Sequence, residues 1–217
     1  MPDCAALFVH PRGVYSDLPD VDPWPEQRDA RLYPGVLPAV AHPPCERWGR
    51  FWSADGSSSP GNDGGCFEAA LRCVRTWGGV IEHPEGSHAF RVFDLPQPTL
   101  GCWTRGLFCG GYSTAVAQRN YGHRARKMTW LYYVGQAPPP PLDWTDPGSG
   151  HVYLSQPGRC SQARPRKTCP CDRCKALYGA DWVGQPDFVC MPPTEMAATP
   201  IPFRDLLLSM ARNSRNP

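Results

Sequence analysis

One stretch constrains the fold of this chain more than any other: an apolar strand, a capped amphipathic helix and a second apolar strand in close succession. Val36 to Ala41 is an apolar run closed by Pro43-Pro44, which cannot extend a central strand. A Gly/Ser/Pro-rich loop, Ser53 to Asn62, comes next. Asp63 then offers an N-cap, and Phe67, Ala70, Leu71, Val74 and Trp77 recur at helical spacing before Gly78-Gly79 stops the helix. Val80-Ile81 opens another strand at once, ended by His83-Pro84. Strand, crossover helix, strand implies parallel strands with a right-handed connection, hence an α/β fold. It also predicts that Cys45 and Glu82 lie just beyond the carboxyl ends of neighbouring strands, the edge where open α/β sheets bind ligands.

The flanking sequence extends this unit. Ala5 to Val9 reads as a buried strand, closed by His10-Pro11 and Gly13. Val14 to Pro34 is acidic and broken by prolines, which predicts loop with at most one short element. Ser113 to Ala117 and Thr129 to Val134 read as an antiparallel hairpin joined by a basic connection, Arg119 to Lys127. Pro138 to Pro141 is a stiff spacer, and no periodicity is evident from there to Pro200. Thr199 then caps a helix with Pro200 in its first turn and Phe203, Leu206, Leu207 and Met210 on one face. The expected organisation is an α/β domain over 1–137, a Cys-rich segment over 138–198, and a terminal helix over 199–217 that packs back on the core.

Composition sets the limits. A chain of 217 residues that is 41 % hydrophobic, with eight tryptophans, is able to build a core, which excludes wholesale disorder despite 27 prolines and 21 glycines. No apolar run approaches the roughly 18 residues that span a bilayer. The N-terminus has no basic stretch followed by an apolar segment, so the reading is a soluble, cytoplasmic protein without a membrane partner. Eleven cysteines are then reduced thiols, metal ligands or catalytic groups. Charge is uneven although the net is only +2. Asp3, Asp17, Asp20, Asp22, Glu26 and Asp29 make the start acidic; Arg159, Arg164, Arg166, Lys167, Arg173 and Lys175 make 159–175 basic. That asymmetry suggests an anionic partner, of which nucleic acid is the commonest.

Three places carry residues suited to chemistry. Cys45 follows two stiffening prolines at the binding edge, with Arg47 and Arg50 near in sequence and Arg124 and Arg126 able to join in space. An electropositive setting of that kind favours the thiolate nucleophile. Glu82 ends an apolar strand, where desolvation is expected to raise its pKa and keep it protonated, able to donate to a ring nitrogen. Arg124 and Arg126 point the same way if their stretch is extended, with Gln118, Arg119, His123 and Lys127 beside them. Each feature alone also has a structural reading: a small buried thiol, a surface carboxylate, a solvated turn.

Taken in order, Pro44-Cys45 after a strand, Glu82-His83-Pro84 at the next, and Gln118 with Arg124-Ala125-Arg126 before a strand ending in Gly135 resemble the cytosine carbon-5 DNA methyltransferases, most closely their small phage-type members. The resemblance covers roughly residues 36–135. It implies an abbreviated Rossmann-like methyltransferase sheet in the cytoplasm of a bacterium or phage-infected host. It also implies that Cys45 is the nucleophile, Glu82 the acid, and Arg124 and Arg126 the groups holding the base. Pro44, Arg47, His83, Gln118, Arg119, His123 and Lys127 would line the DNA substrate. The family's methyl donor is S-adenosylmethionine, which here would meet Phe8, Gly13, Pro43 and an acid such as Asp22 or Asp29. The chain departs from the family in that Leu7 to Gly13 offers a single glycine. Only about 27 residues separate Val9 from Val36, so one βα unit is expected to be missing. A reduced folate, methylenetetrahydrofolate, is therefore the alternative donor, and the product is methyl- or hydroxymethylcytosine.

The chemistry suits these residue types. Carbon 5 of cytosine becomes nucleophilic once a thiolate has added to carbon 6, which is covalent catalysis. An acid at ring nitrogen 3 stabilises the adduct, and the base must be flipped out or single-stranded to be reached. Separately, Cys160, Cys169, Cys171 and Cys174 fit a structural tetrahedral zinc site in a basic segment, with Cys190 or His151 able to replace one ligand and free thiols as the alternative. Such a module would contact DNA. Two other functional readings remain: a DNA-binding protein without catalysis, and a thiol hydrolase pairing Cys45 with His83 or His123.

Overall fold

The structure is a computed structural model that describes residues 1–49, 60–107, 110–146 and 193–214. Its strands are β1 (Cys4–Val9), β2 (Val21–Pro25), β3 (Ala39–Ala41), β4 (Gly79–Pro84), β5 (Thr104–Arg105), β6 (Tyr112–Ala117) and β7 (Met128–Val134). Its helices are α1 (Cys66–Trp77), α2 (His88–Val92), α3 (Pro193–Ala197) and α4 (Ile201–Asn213). The seven strands form one mixed sheet in the order β2-β1-β3-β4-β7-β6-β5. Pairings β1–β2, β1–β3 and β3–β4 are parallel, whereas β4–β7, β6–β7 and β5–β6 are antiparallel. The expected βαβ unit and the expected hairpin are both present.

Sheet order decides where a ligand can go. From β1 the chain moves to one side to make β2 and then crosses to the other side for β3, so a topological switch point lies between β1 and β3. Because β7 runs against β4, the connection from β6 to β7 returns to the same edge as the carboxyl ends of β1, β3 and β4. The sheet thus gathers the segments after Val9, after Ala41, at Glu82 and between Ala117 and Met128 on one edge.

Two apolar layers cover the sheet. On one face Leu7, Ala39, Ala41 and Ile81 pack with Phe67, Leu71 and Val74 of α1. On the other, Ala6, Val40, Val80 and Leu131 pack with Phe203, Leu207 and Met210 of α4. Alternation along β3 gives each face its share, as the period of a strand requires. The terminal helix thus covers the face that a crossover helix between β1 and β2 would otherwise cover; that connection holds no helix. Arg212 of α4 pairs with Asp3 and Asp20 at the start of β1 and β2.

Several local expectations need correction. The acidic stretch Val14 to Pro34 contains a full strand, β2, and two 3-10 turns, Glu26–Arg28 and Ala30–Leu32, so what is missing between Val9 and Ala39 is helix, not strand. Pro23 and Pro25 are tolerated because β2 is an edge strand and needs only one hydrogen-bonded side. The strand predicted from Val36 is confined to Ala39–Ala41, since Val36 is exposed and has φ 118°. The N-cap of α1 is Gly65, but Asp63 still accepts from Phe67 N–H at 2.8 Å and Gly65 N–H at 3.0 Å. Pro200 takes the N-cap place of α4 expected for Thr199, with no side-chain cap, and Leu208 is buried while Leu206 is only half-buried.

Gly79 marks the tightest backbone approach in the sheet. Its φ is +131°, and a Cβ there would lie 2.0 Å from the Ala39 carbonyl oxygen and 2.7 Å from its nitrogen. Relief requires separating β3 from β4, because backbone cannot rotate away. Gly79→Ala is therefore expected to destabilise the fold by on the order of 3 kcal/mol or more. Gly101→Ala, also at positive φ but with nothing within 4 Å, is expected to cost only about 1 kcal/mol. Urea denaturation of the two variants checks the contrast.

Candidate active site

Cys45 leaves β3 by way of Pro43 and Pro44, and the turn after it is pinned. Its carbonyl accepts from Trp48 N–H at 3.0 Å and Gly49 N–H at 2.7 Å. Trp48 is buried and donates Nε1–H to Asp63 at 2.8 Å, while the Arg47 carbonyl accepts from Gly61 N–H at 2.9 Å. The cysteine stands exposed at the rim as a free thiol. On its protein side the thiol is crowded: burial, then the Glu82 carboxylate and more weakly Glu46, push its pKa up, with Lys127 opposing.

Glu82 lies within β4, opposite Leu131 of β7, and not just beyond the strand's end as expected, because pairing with β7 carries β4 on to Pro84; its carboxylate is held by donors on both oxygens. Gln118 Nε2–H donates to Oε1 at 3.1 Å, and His42 Nδ1 lies 3.0 Å from Oε2. Gln118, fully buried, also donates to Thr129 Oγ1 at 2.8 Å, and its own Oε1 has no partner. Burial alone would raise the Glu82 pKa, but the His42 hydrogen bond and charge, with Lys127 and His83 adding, reverse the sign and lower it to about 2. The expectation of a protonated resting Glu82 is overturned, because desolvation is outweighed by partners that favour the ionised form.

The arginines depart from expectation in the same way. The stretch from Gln118 to Lys127 is not extended; it opens with a 3-10 turn, Gln118–Tyr121, and continues as loop. Arg124 pairs with Glu195 at 2.6 Å and Arg126 with Asp146 at 3.0 Å. Among the described residues, Lys127 is a cation whose charge is felt at both Glu82 and Cys45. Burial pushes the Lys127 pKa down, its Nζ donates to the Ala198 and Ala197 carbonyls at 2.8 and 3.1 Å, and its φ of 38° is unusual for a non-glycine residue. The predicted electropositive setting is not what the Cys45 thiol meets: burial and two glutamates raise its pKa against Lys127, and Arg50 lies outside the described residues.

The same loop holds both flanks of the Cys-rich segment. Asn120 Nδ2–H donates to the Asp143 and Thr145 carbonyls, and Tyr121 OH accepts from Asp143 N–H. On the far side, His123 accepts from Ala125 N–H through Nδ1, which leaves Nε2–H to donate to the Glu195 carbonyl at 3.3 Å. Arg119 Nη1 and Arg126 Nε are buried in this loop without partners. The proposed zinc ligands Cys160, Cys169, Cys171 and Cys174, with His151 and Cys190, lie outside the described residues. No group of three or more His, Cys, Asp or Glu among the described residues is placed to hold a metal.

At the β1 end of the edge, Phe8 has φ 58° and sits at a β-bulge between Leu7 and Val9. Gly13 closes a turn with its N–H on the His10 carbonyl at 2.9 Å. The two candidate ribose acids are engaged elsewhere. Asp22 lies opposite Ala5, toward the start of β2, where it accepts from Trp24 Nε1–H at 2.8 Å and pairs with Arg28 at 2.5 Å. Asp29 is paired with Arg31 at 2.7 Å. Glu26 is the carboxylate that immediately follows β2.

Both histidines considered for a thiol hydrolase have other partners. His123 is committed as described. His83 is sealed in the interior against Phe67, with Nδ1 2.7 Å from Ser87 Oγ and Nε2 facing the Pro44 and Pro43 carbonyls without a well-formed hydrogen bond. Sequence reasoning also missed two residues. His42 precedes the prolines, and Tyr15, buried in the loop after β1, has its OH 2.9 Å from His42 Nε2. Neither belongs to a local pattern that would have singled it out. No protein-family model matches the chain, and comparisons with curated proteins and with solved structures find no match. No helix among the described residues is long and apolar enough to cross a membrane.

Burial lowers the His83 pKa to about 4, and burial also lowers that of His123. An unfolded histidine takes up its proton near 6.5. The unfolded chain therefore binds more protons than the folded one as pH drops below about 6.5, so stability is expected to fall from there toward about pH 4. Urea midpoints at several pH values across that window check this. His83→Asn is expected to make the decline shallower, leaving the His123 part.

Proposed function

We propose that this protein modifies cytosine in DNA at carbon 5 through a covalent adduct on Cys45. The observation that carries the reading is the meeting of a thiol, a carboxylate and a lysine at the carboxyl edge of the parallel strands, close enough that each acts on the charge of the others. The switch point between β1 and β3 supports it, since ligands of open α/β sheets bind there. So does the resemblance of the Pro-Cys, Glu and basic-loop motifs to the cytosine carbon-5 methyltransferases.

In this reading the Cys45 sulfur bonds to carbon 6, the carbon 5–carbon 6 electron pair moves into the ring, and nitrogen 3 takes a proton at the Glu82 edge. Lys127, not Arg124 or Arg126, is the cation available to the ring carbonyl oxygen. A buried lysine beside a carboxylate offers a positive charge where negative charge develops, which is the largest kind of contribution such a site makes. The transferred group is a one-carbon unit. Asp22 and Asp29 do not fit the ribose of adenosylmethionine as expected, because arginines hold both. The donor is therefore assigned only to the class that includes adenosylmethionine and methylenetetrahydrofolate, and no step is routed through it.

The test uses single-stranded and duplex DNA carrying 5-fluorocytosine, with each donor and without. A denaturation-resistant adduct that maps to Cys45 and is lost in Cys45→Ser is the expected result, and the donor it needs identifies the one-carbon source. Lys127→Met is expected to slow adduct formation by on the order of 10²-fold. DNA binding without any adduct would instead favour a DNA-binding protein that does no chemistry. For the Cys-rich segment we propose a structural zinc ion that helps it contact DNA. About one zinc per chain by elemental analysis is expected, with loss of the metal in Cys171→Ser.

A further inference from the structure

A resting Glu82 that is already ionised cannot by itself give a proton to a ring nitrogen, so the proton must be brought to it. The hydrogen bonds around Glu82 offer one route. Tyr15 OH lies 2.9 Å from His42 Nε2, and His42 Nδ1 lies 3.0 Å from Glu82 Oε2, which makes an unbroken chain from the buried end of the loop after β1 to the rim beside Cys45. The other carboxylate oxygen is taken by Gln118, an amide that cannot supply a proton at ordinary pH. His42 and Glu82 side chains are each 15 % exposed, so both ends of their hydrogen bond lie close to the surface of the edge.

We propose that His42 is the proton-supplying partner of Glu82, and that Tyr15 orients its imidazole for that task. The inference rests on the proposed carbon-5 chemistry. With neutral His42, Tyr15 O–H donates to Nε2 and Nδ1–H donates to the carboxylate. A second proton on Nε2 turns the Tyr15 hydroxyl round to accept. From that state Nδ1–H passes to the Glu82 carboxylate, which hands that same proton to nitrogen 3 as the Cys45 sulfur pair forms the bond to carbon 6. The thiol proton released by Cys45 goes to solvent and His42 takes one proton back from solvent, so the addition moves one proton from sulfur to nitrogen with none left over. His42 acts through Glu82 and is a positioning residue, since it touches no reacting atom.

The other groups facing this chain are Cys4 on β1, Arg204 and Asp205 on α4, His83 on β4, and Lys127 and Cys45 at the rim. Of these Lys127 and Cys45 lie at the rim with Glu82, where a proton gained or lost by either would also change the rate. That sets the design of the test.

Rates of adduct formation on 5-fluorocytosine DNA are measured against pH for the wild type, His42→Asn, Tyr15→Phe and Lys127→Arg. Asparagine keeps a donor to Glu82 but carries no transferable proton. His42→Asn is expected to bind DNA with unchanged affinity, react on the order of 10²-fold more slowly, and lose the alkaline fall in rate. Lys127→Arg should keep that fall. A fall that survives in His42→Asn and vanishes in Lys127→Arg overturns the proposal, as does a His42→Asn rate equal to wild type. Independently of DNA, nitrogen-15 imidazole spectra of the full chain at alkaline pH should show neutral His42 protonated at Nδ1, with the Nε2 signal displaced in Tyr15→Phe. Protonation at Nε2 instead overturns the relay while leaving the Cys45 reading intact; absence of any wild-type adduct overturns the carbon-5 reading and the relay's part in it.

Discussion

The site hangs from a strand three residues long. Ala39, Val40 and Ala41 are fully buried between β1 and β4, with apolar groups on both faces, as parallel strands inside an α/β sheet require. Their small size, and the absence of a side chain at Gly79, let the backbones of β3 and β4 pair where a Cβ would collide. Where β3 stops, His42 still donates its backbone N–H to the Leu7 carbonyl at 3.0 Å, so its imidazole is held over the strand tips. The prolines that follow then carry Cys45 to the rim. Position at the edge is thus inherited from the most rigid part of the core.

Charge at that edge is arranged by hydrogen bonding more than by number of charges. One carboxylate receives donors on both oxygens, and one lysine is folded beneath the rim with its ammonium on two carbonyls. The arginines of the same loop face away, into ion pairs that hold the chain on either side of the Cys-rich segment. In a partly desolvated site a paired ionic group is stabilised in its charged form and an unpaired one is suppressed. Hence Glu82 is ionised and the Cys45 thiol is not favoured as thiolate at rest.

Much of the architecture is legible along the chain. The hydrophobic periods of β1, α1, β4, β6, β7 and α4 stand out because glycines and prolines punctuate them, and each is a local pattern. Strand β2 escapes that reading: Pro23 and Pro25 argue against a central strand, and only its place at the sheet edge, satisfied on one side by β1, makes them harmless. The site divides along the same line. Cys45 was recognisable as a residue just past the first strand of a βαβ unit, whereas Glu82, expected past the second, lies inside it because β7 extends the pairing to Pro84. Tyr15 lies 27 positions from His42, and His42 lies 40 from Glu82; their contacts exist only because β1, β3 and β4 are neighbours.

Local order along the chain therefore settled the type of fold, the parallel crossover and the edge to which the thiol and the carboxylate are brought. Folding in three dimensions settled the partners of the thiol and the carboxylate, the ion pairs that engage Arg124 and Arg126, and the link from Glu82 through His42 to Tyr15. The reason is one of range. Strand and helix periods are set by residues a few positions apart, whereas the state of an ionisable group is set by whatever lies within a few ångströms of it. In this sheet those neighbours come from four separate segments of the chain.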